Sequence, residues 1–309
     1  MELGFASTTD EVTAGLDLTG TVALVTGASS GLGRETARAL AAVGARVILA
    51  GRNDDKLAAA ARRITDSAPE ATVEVGHLDL TSLAQVRHFA EEFLAANERL
   101  DLLINNAGVM ATPFDHTADG FELQFGTNHL GHFLLTCLLA PALLREPPSR
   151  IVNLSSGGHL ASDILWDDPN FERSAYDPFI AYGQSKTANI LFTVELERRL
   201  SARGVHAYAV HPGLVGTALG RYMTPEVLAQ LMEKAEQGGG MPTRKSLQQG
   251  AATSVWAATA PGLEAIGGSY LEDCQVSDHQ AAWAVAPDAA ARLWALSEEL
   301  VGQQFPLED

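Results

Sequence analysis

The chain has 309 residues, 46% of them hydrophobic and 19% charged, a composition that belongs to a folded globular protein and excludes a disordered one. A formal charge of −17 argues against a nucleic-acid backbone or an anionic membrane surface as partner. Two cysteines, Cys137 and Cys274, make neither a disulfide framework nor a thiolate metal site. The longest apolar stretch, Phe133 to Leu144, is interrupted by Thr136 and Pro141 and is too short to span a bilayer. Residues 1–19 carry acids and no basic leader, so no signal peptide is read there and the cytoplasm is the expected location.

Residues 1–17 read as an N-terminal arm in which Thr8 and Glu11 have the spacing of a capping box. Val22-Ala23-Leu24-Val25 is a short apolar strand running into the loop Thr26-Gly27-Ala28-Ser29-Ser30-Gly31-Leu32-Gly33. A helix follows from Gly31 to Val43, capped by Ser29 or Ser30. The second strand, Arg46 to Ala50, ends at Gly51-Arg52-Asn53 and is followed by an alanine-rich helix from Asp54 to Ser67. Val73 to Leu80 gives a third strand ending in Asp79-Leu80. The next helix, Ser82 to Asn97, places Val86, Phe89, Ala90, Phe93 and Leu94 at helical spacing. Leu102-Leu103-Ile104 is a fourth strand, leading to Asn105-Asn106-Ala107-Gly108. Helices are predicted over Asn128–Leu144 and Ala181–Ala202, with a fifth strand between them, Ile151 to Leu154, that runs into Ser155-Ser156. Val205 to Val210 is a sixth strand ending at His211-Pro212-Gly213, and Gly268 to Leu271 a seventh.

Strands alternating with helices at this period predict an α/β fold, a doubly wound and mostly seven-stranded parallel sheet covered by helices on both faces. No composition break divides residues 18–309, so they read as a single domain. Gly238-Gly239-Gly240 looks like a break within a helical segment. Every polar motif falls just after a strand, which is where ligands bind in such sheets.

A glycine turn between a strand and a helix offers backbone N–H groups to a pyrophosphate. The nucleotide site is therefore read as Gly27, Ser29, Ser30, Gly31, Leu32 and Gly33, with Arg52 and Asn53 at the end of the second strand. An unphosphorylated ribose wants an acid at that strand end, and none occurs until Asp54. Arg52 offers a guanidinium fork for a 2′-phosphate instead, so NADP is the expected cofactor. Arg34 is either a second phosphate contact or an ordinary surface arginine. Tyr182 and Lys186 are four apart on a helix and so share a face, where a cation favours phenolate and lowers the phenol's pKa. Such a tyrosine exchanges protons with an alcohol or carbonyl. Ser156 reaches the same pocket from the fifth strand, and Asn128, heading a helix, is placed to hold a water against Lys186. His129 and His132 have no third ligand at sensible spacing, so no metal is expected. No Gly-x-Ser-x-Gly surrounds Ser155 and Ser156, which disfavours acyl transfer.

These motifs, in this order over about Leu18 to Leu271, resemble the short-chain dehydrogenase/reductase family. The resemblance implies that Gly27, Gly31 and Gly33 form the phosphate turn. It implies that Asp79 and Leu80 meet the adenine, and that Asn106, Ala107 and Gly108 line the adjacent ribose. Asn128, Ser156, Tyr182 and Lys186 match the family's catalytic tetrad, with Ser156 chosen over Ser155 because Gly157-Gly158 follows it. Lys186 also holds the nicotinamide ribose in that family. Pro212, Gly213, Val215 and Thr217 match the nicotinamide-side loop. The activity so implied is hydride transfer between NADPH and a ketone, aldehyde or alcohol, with Tyr182 as acid/base and Ser156 donating to the same oxygen.

The stretch from His159 to Ile180 is far longer than the family's usual gap between serine and tyrosine. With Asp167-Asp168-Pro169-Asn170-Phe171 in it, it is similar to the retinol-dehydrogenase-like and protochlorophyllide-reductase-like branch. Its apolar residues Leu160, Ile164, Leu165, Trp166, Phe171, Tyr176 and Phe179 predict a substrate loop (159–180). Leu219, Tyr222, Met223, Leu228, Leu231 and Met232 predict a lid (214–245), and together they predict a lipophilic small-molecule substrate. The alternative is that these side chains only pack the loops onto the body. Two rival functions are a cofactor-binding sensor without turnover, which the complete tetrad opposes, and a sugar-nucleotide epimerase or dehydratase, whose Gly-x-x-Gly-x-x-Gly spacing differs. A homodimer through the helices bearing Leu134–Leu144 and Tyr182–Leu200 is implied by the resemblance, unless the long loop covers that face.

Overall fold

The computed structural model describes residues 3–223 and 243–305. The apolar runs become strands because each is covered on both faces: β1 (Val22–Thr26) is buried at every position. It pairs in parallel with β2 (Arg46–Gly51) on one side and β4 (Leu102–Asn105) on the other, Val25 standing between Leu49 and Ile104. The remaining strands are β3 (Val73–His77), β5 (Ser149–Leu154), β6 (Val205–His211), the short β7 (Leu214–Val215) and β8 (Arg244–Lys245), β9 (Tyr270–Glu272) and β10 (Gln275–Val276). The central sheet has eight strands in the order β10-β9-β6-β5-β4-β1-β2-β3. Seven of them are parallel, as expected, and the chain is doubly wound about β1, so a crevice opens above the ends of β1 and β4. The eighth, β10, returns antiparallel to β9 through a turn in which Asp273 and Cys274 both take positive φ, 54° and 56°. Neither residue is the Gly or Asn that announces such a turn in a sequence.

Helices α1 (Thr9–Thr13), α2 (Gly31–Ala42), α3 (Asp54–Ser67), α4 (Leu83–Ala96), α5 (Leu123–Phe125), α6 (Gly131–Leu143), α7 (Pro178–Leu200), α8 (Leu247–Thr259) and α9 (Pro287–Val301) cover the two faces. On one, Phe89 and Phe93 of α4, Phe133 of α6, Phe192 of α7 and Trp294 of α9 share a core. On the other, Leu40 of α2, Leu57 and Ile64 of α3 and Val255 of α8 pack over Val25, Leu49 and Tyr208. Among the described residues no helix is long and apolar enough to cross a membrane.

Several local expectations change. β3 stops at His77, and Val75 is exposed because this is the edge strand. Leu94 also points outward, the apolar face of α4 being Val86, Phe89, Ala90 and Phe93. Asn128 does not head a helix: α5 and α6 are joined by a π-helical turn, Gly126–Leu130, with Asn128 inside it. α7 starts earlier than expected, where the Asp177 side chain accepts from the N–H groups of Phe179 and Ile180.

The arm is ordered. Thr8 and Glu11 form a reciprocal capping box, and Asp10 bonds Arg38 of α2 (2.5 Å) and Gln248 of α8 (3.0 Å). α9 lies over α6 and α7, its Trp294 ring 5.0 Å from Phe133 and beneath the Arg199 guanidinium at 4.2 Å. α9 thus covers part of the helix face that the resemblance offers for dimerisation.

Candidate active site

β1 delivers its chain into the glycine turn at Thr26, where Gly27 and Gly31 take φ of 65° and 60°, a left-handed conformation that a side chain disfavours. Space is as restrictive as conformation. A Cβ on Gly27 would stand 2.8 Å from the Ala107 Cα, and one on Gly33 would run into the Asn106 amide. Asn106 and Ala107 belong to the turn because their N–H groups both donate to the Thr26 hydroxyl at 3.0 Å, and the Asn106 amide donates to the Thr26 carbonyl. Ser30 occupies the N-cap of α2 but its side chain makes no capping bond, so the first-turn amides keep their donors. Above them Thr217 Cγ2 comes within 3.5 Å of the point a Gly31 Cβ would occupy. The nicotinamide-side loop therefore closes over the phosphate turn, with Gly213, Leu214 and Val215 held by β8. Val215 pairs with Lys245, whose buried ammonium is ion-paired with Asp273 and whose stem passes 3.0 Å from a Gly213 Cβ. Sequence reasoning missed Lys245, since a lysine near an unassigned segment carries no signal.

The other predicted cofactor residues are placed less tightly. Arg52 is exposed at the end of β2 beside β3. Asn53 spends its side chain capping α3, accepting from the Lys56 N–H at 2.9 Å. Asp79 lies past the end of β3 and turns on itself, one oxygen accepting from the Thr81 N–H and hydroxyl. Leu80 is buried, and its carbonyl would meet a Cβ on Gly131 at 2.7 Å, so α6 approaches this segment only because residue 131 is glycine.

The proposed tetrad converges. β5 runs into two serines with different employment: Ser155 donates to the Lys186 carbonyl at 2.9 Å, while Ser156 accepts from the Gly158 N–H at 3.1 Å, its hydroxyl and the Tyr182 ring both closing on Gly158. Two glycines permit that approach. A Cβ on Gly158 would lie 2.8 Å from Tyr182, and one on Gly183 would lie 2.9 Å from the Gly158 carbonyl. Gly183, inside the helix and adjacent to the tyrosine, was not singled out in the sequence. Lys186 stands 5.6 Å from the Tyr182 ring centroid and donates to the Leu154 carbonyl at 2.9 Å. Asn128 is fully buried, and its amide bonds both the N–H and the carbonyl of Val109 and the Ser185 hydroxyl. That clamp sets Gly108 between Asn128 and Lys186. The side chain is thus held by the Val109 backbone and the Ser185 hydroxyl.

Burial, and not the neighbouring ammonium, dominates the electrostatics. It pushes the Tyr182 phenol up to about 12, opposed only by the Ser156 hydrogen bond, and drops Lys186 to about 8. The expected lowering of the tyrosine by its lysine is not what the protein groups alone produce. His129 and His132 have separate structural employment. His129 bonds Ser297 (2.8 Å) and His132 bonds Thr26 and the Asn128 carbonyl (both 2.9 Å), with burial holding the rings down at about 3 and about 4.

The long stretch before Tyr182 packs down. Ile164 and Phe171 are buried, Trp166 lies under the Arg292 guanidinium at 4.2 Å, and the Tyr176 hydroxyl accepts from the Gln124 amide at 2.8 Å. Gln184 of α7 fixes the loop through Leu165 and Pro169. Most of its apolar residues therefore serve the body, and Leu160, just after Ser156, is the one left largely exposed. Tyr222 is also exposed. Leu228, Leu231, Met232 and Gly238-Gly239-Gly240 lie outside the described residues.

A family model described as short chain dehydrogenase matches residues 21–227, which contain the glycine turn, Ser156, Tyr182 and Lys186. The chain belongs to the short-chain dehydrogenase/reductase family. It is 46% identical to retinol dehydrogenase 11 of Mus musculus over 294 residues, covering 94% of this chain and 89% of that one. Retinol dehydrogenase 13 of Homo sapiens is 42% identical, covering 93% and 86%. These relatives support the retinol-dehydrogenase-like branch that the long serine-to-tyrosine stretch points to. A crystal structure of a protein from Mycobacterium Paratuberculosis superposes with a TM-score of 0.76 at 38% identity, covering 97% of this chain and 99% of that one. A gluconate 5-dehydrogenase from Burkholderia cenocepacia in complex with NADP and tartrate gives 0.63 at 25% identity, covering 83% and 94%. The glycine turn, the open first-turn amides of α2 and the overlying Thr217 fit a nicotinamide dinucleotide.

Proposed function

We propose that this oxidoreductase interconverts a carbonyl and an alcohol with NADP(H), using Tyr182 as acid/base on a lipophilic substrate. The observation that carries the reading is the buried Tyr182 set beside the Ser156 hydroxyl at Gly158, with Lys186 behind it, at the ends of the strands that bear the glycine turn. A bound NADPH supplies the hydride. Tyr182, pushed up to about 12, keeps its proton near neutrality and is the acid for reduction. The Ser156 hydroxyl accepts from the Gly158 N–H, which orients it, and its own proton goes to the developing alkoxide. Lys186 supplies positive charge next to the phenol that must ionise in the reverse direction. The 2′-phosphate falls to Arg52 at the end of β2. Support for an apolar substrate is the relatives named retinol dehydrogenases and the exposed Leu160 and Tyr222 on segments that follow Ser156 and Thr217. The cytoplasm is part of the same reading, and sedimentation of the protein with membranes on cell fractionation would overturn that part.

The test is Tyr182→Phe, which removes the proton and keeps the ring. With a panel of ketones and aldehydes, kcat is expected to fall about 100-fold or more, while NADPH binding followed by fluorescence persists. Near-wild-type turnover in that variant would move the acid/base role elsewhere. Wild-type protein that binds NADPH but turns over none of the panel would favour the sensor.

A further inference from the structure

Two histidines outside the tetrad grip one peptide bond. The Ser156 carbonyl accepts from the His159 ring Nδ1 at 2.7 Å, and the Gly157 N–H donates to the His211 ring Nδ1 at 3.3 Å. Those two groups are the carbonyl and N–H of the same trans peptide unit, so the rings approach it from opposite edges. The bonds also fix each ring's proton. His159 donates from Nδ1 and accepts the Ala281 N–H at Nε2 (3.1 Å). His211 accepts at Nδ1, so its proton sits on Nε2, which faces Glu272 at 3.7 Å. Tyr270 of β9 packs against both rings, with centroids 5.1 Å from His159 and 6.4 Å from His211.

We propose that His159 and His211 are positioning residues that clamp the Ser156–Gly157 peptide and thereby aim the Ser156 hydroxyl at the reacting oxygen. The proposal rests on the reading of Ser156 as the oxygen-binding hydroxyl. His211 holds its side of the clamp only while neutral, since a second proton would set donor against donor at Gly157, whereas a second proton on His159 breaks its bond to Ala281 and leaves the one to the Ser156 carbonyl. Burial favours the neutral form of each. Around His211, Glu272 and Asp273 draw the extra proton, while Lys245 and His159 repel it. The clamp should therefore release below the ordinary histidine range of about pH 6.5.

Full-length protein with NADPH and a ketone that it reduces gives the test. His211→Ala is expected to lower kcat roughly tenfold to hundredfold, the scale of a misplaced reacting group, with NADPH affinity unchanged. His211→Asn keeps an acceptor at the Nδ1 position and cannot titrate. It should restore kcat to within about threefold and move the acid limb of the kcat profile, the rescue that a packing role would not give. In a Ser156→Ala background His211→Ala should cost nothing further. A second readout is independent of turnover: with ¹⁵N-glycine labelling, the Gly157 amide should shift on acidification in the wild type and not in His211→Asn. Absence of that shift overturns the clamp. The shift together with unchanged kcat in His211→Ala overturns its role in positioning. Wild-type turnover in Ser156→Ala, with the shift intact, refutes the reading of Ser156 and leaves the clamp itself standing.

Discussion

Replacing Lys186 with methionine should make the protein more stable while disabling it. Lys186 is 4% exposed, and burial drops its ammonium from 10.5 to about 8, so the folded state resists its charge. At about 1.4 kcal/mol per unit, that resistance amounts to about 3 kcal/mol at pH 7, an upper figure because it sets aside the bond to Leu154. Losing that bond orphans nothing, since the Leu154 carbonyl also accepts from the Asn189 amide at 2.9 Å. Methionine fills a similar volume without charge. The sign follows from proton counts. Between the folded pKa near 8 and the unfolded value near 10.5 the unfolded chain binds more protons, so wild-type stability rises with pH and the penalty fades. Urea unfolding of both proteins should thus show Lys186→Met ahead by up to about 3 kcal/mol at pH 7 and by only about 1 kcal/mol at pH 9.5. Its kcat should be a small fraction of wild type at both. A variant less stable than wild type at pH 7, or an advantage that ignores pH, would refute the claim that a costly buried cation is kept for its chemistry.

Arg52→Ala should raise the KM for NADPH tenfold or more, about the loss of one charge-assisted bond, and leave NADH nearly untouched; equal effects on both would remove the 2′-phosphate assignment. A homologous series of straight-chain ketones should gain in kcat/KM by up to about fourfold per added carbon, since a buried CH₂ contributes about 0.8 kcal/mol. A flat response would show that the exposed Leu160 and Tyr222 do not line the substrate site. With α9 lying over α6 and α7, the protein should run as a monomer in gel filtration and light scattering, and a dimer that survives dilution would mean pairing through another face.

The parallel, doubly wound sheet and the placing of the polar motifs at its strand ends were legible because the apolar runs are short, mostly buried and each followed by a polar turn. The failures are local. The π turn around Asn128 has no compositional mark, and its cause is tertiary, as the Asn128 amide is drawn to the backbone of Val109. The hairpin after β9 is closed by Asp273 and Cys274 at positive φ, and Cys274 stands where turn chemistry usually puts glycine. The stretch from 159 to 180 reads as an apolar substrate loop in sequence because exposure is not written there. Gln184 and Gln124, polar residues on the body, are what tie it down.

The site shows the same division between geometry and environment. A tyrosine and a lysine four apart on a helix declare that they share a face, and the glycine pair Gly157-Gly158 marks the serine next to them. Spacing says nothing about how much water remains, and water decides the charges. With both groups buried, the lysine holds its proton less tightly, near 8, and the tyrosine holds its own more tightly, the opposite of what proximity alone predicts for the phenol. The consequence is directional. The protein's own groups prepare an acid for reduction, and oxidation requires a further positive charge near the phenol to make phenolate accessible. An oxidised nicotinamide brings one. Alcohol oxidation should therefore accelerate as pH rises past neutrality while carbonyl reduction does not, and parallel pH profiles in the two directions would show that Tyr182 is not the group whose proton is being moved.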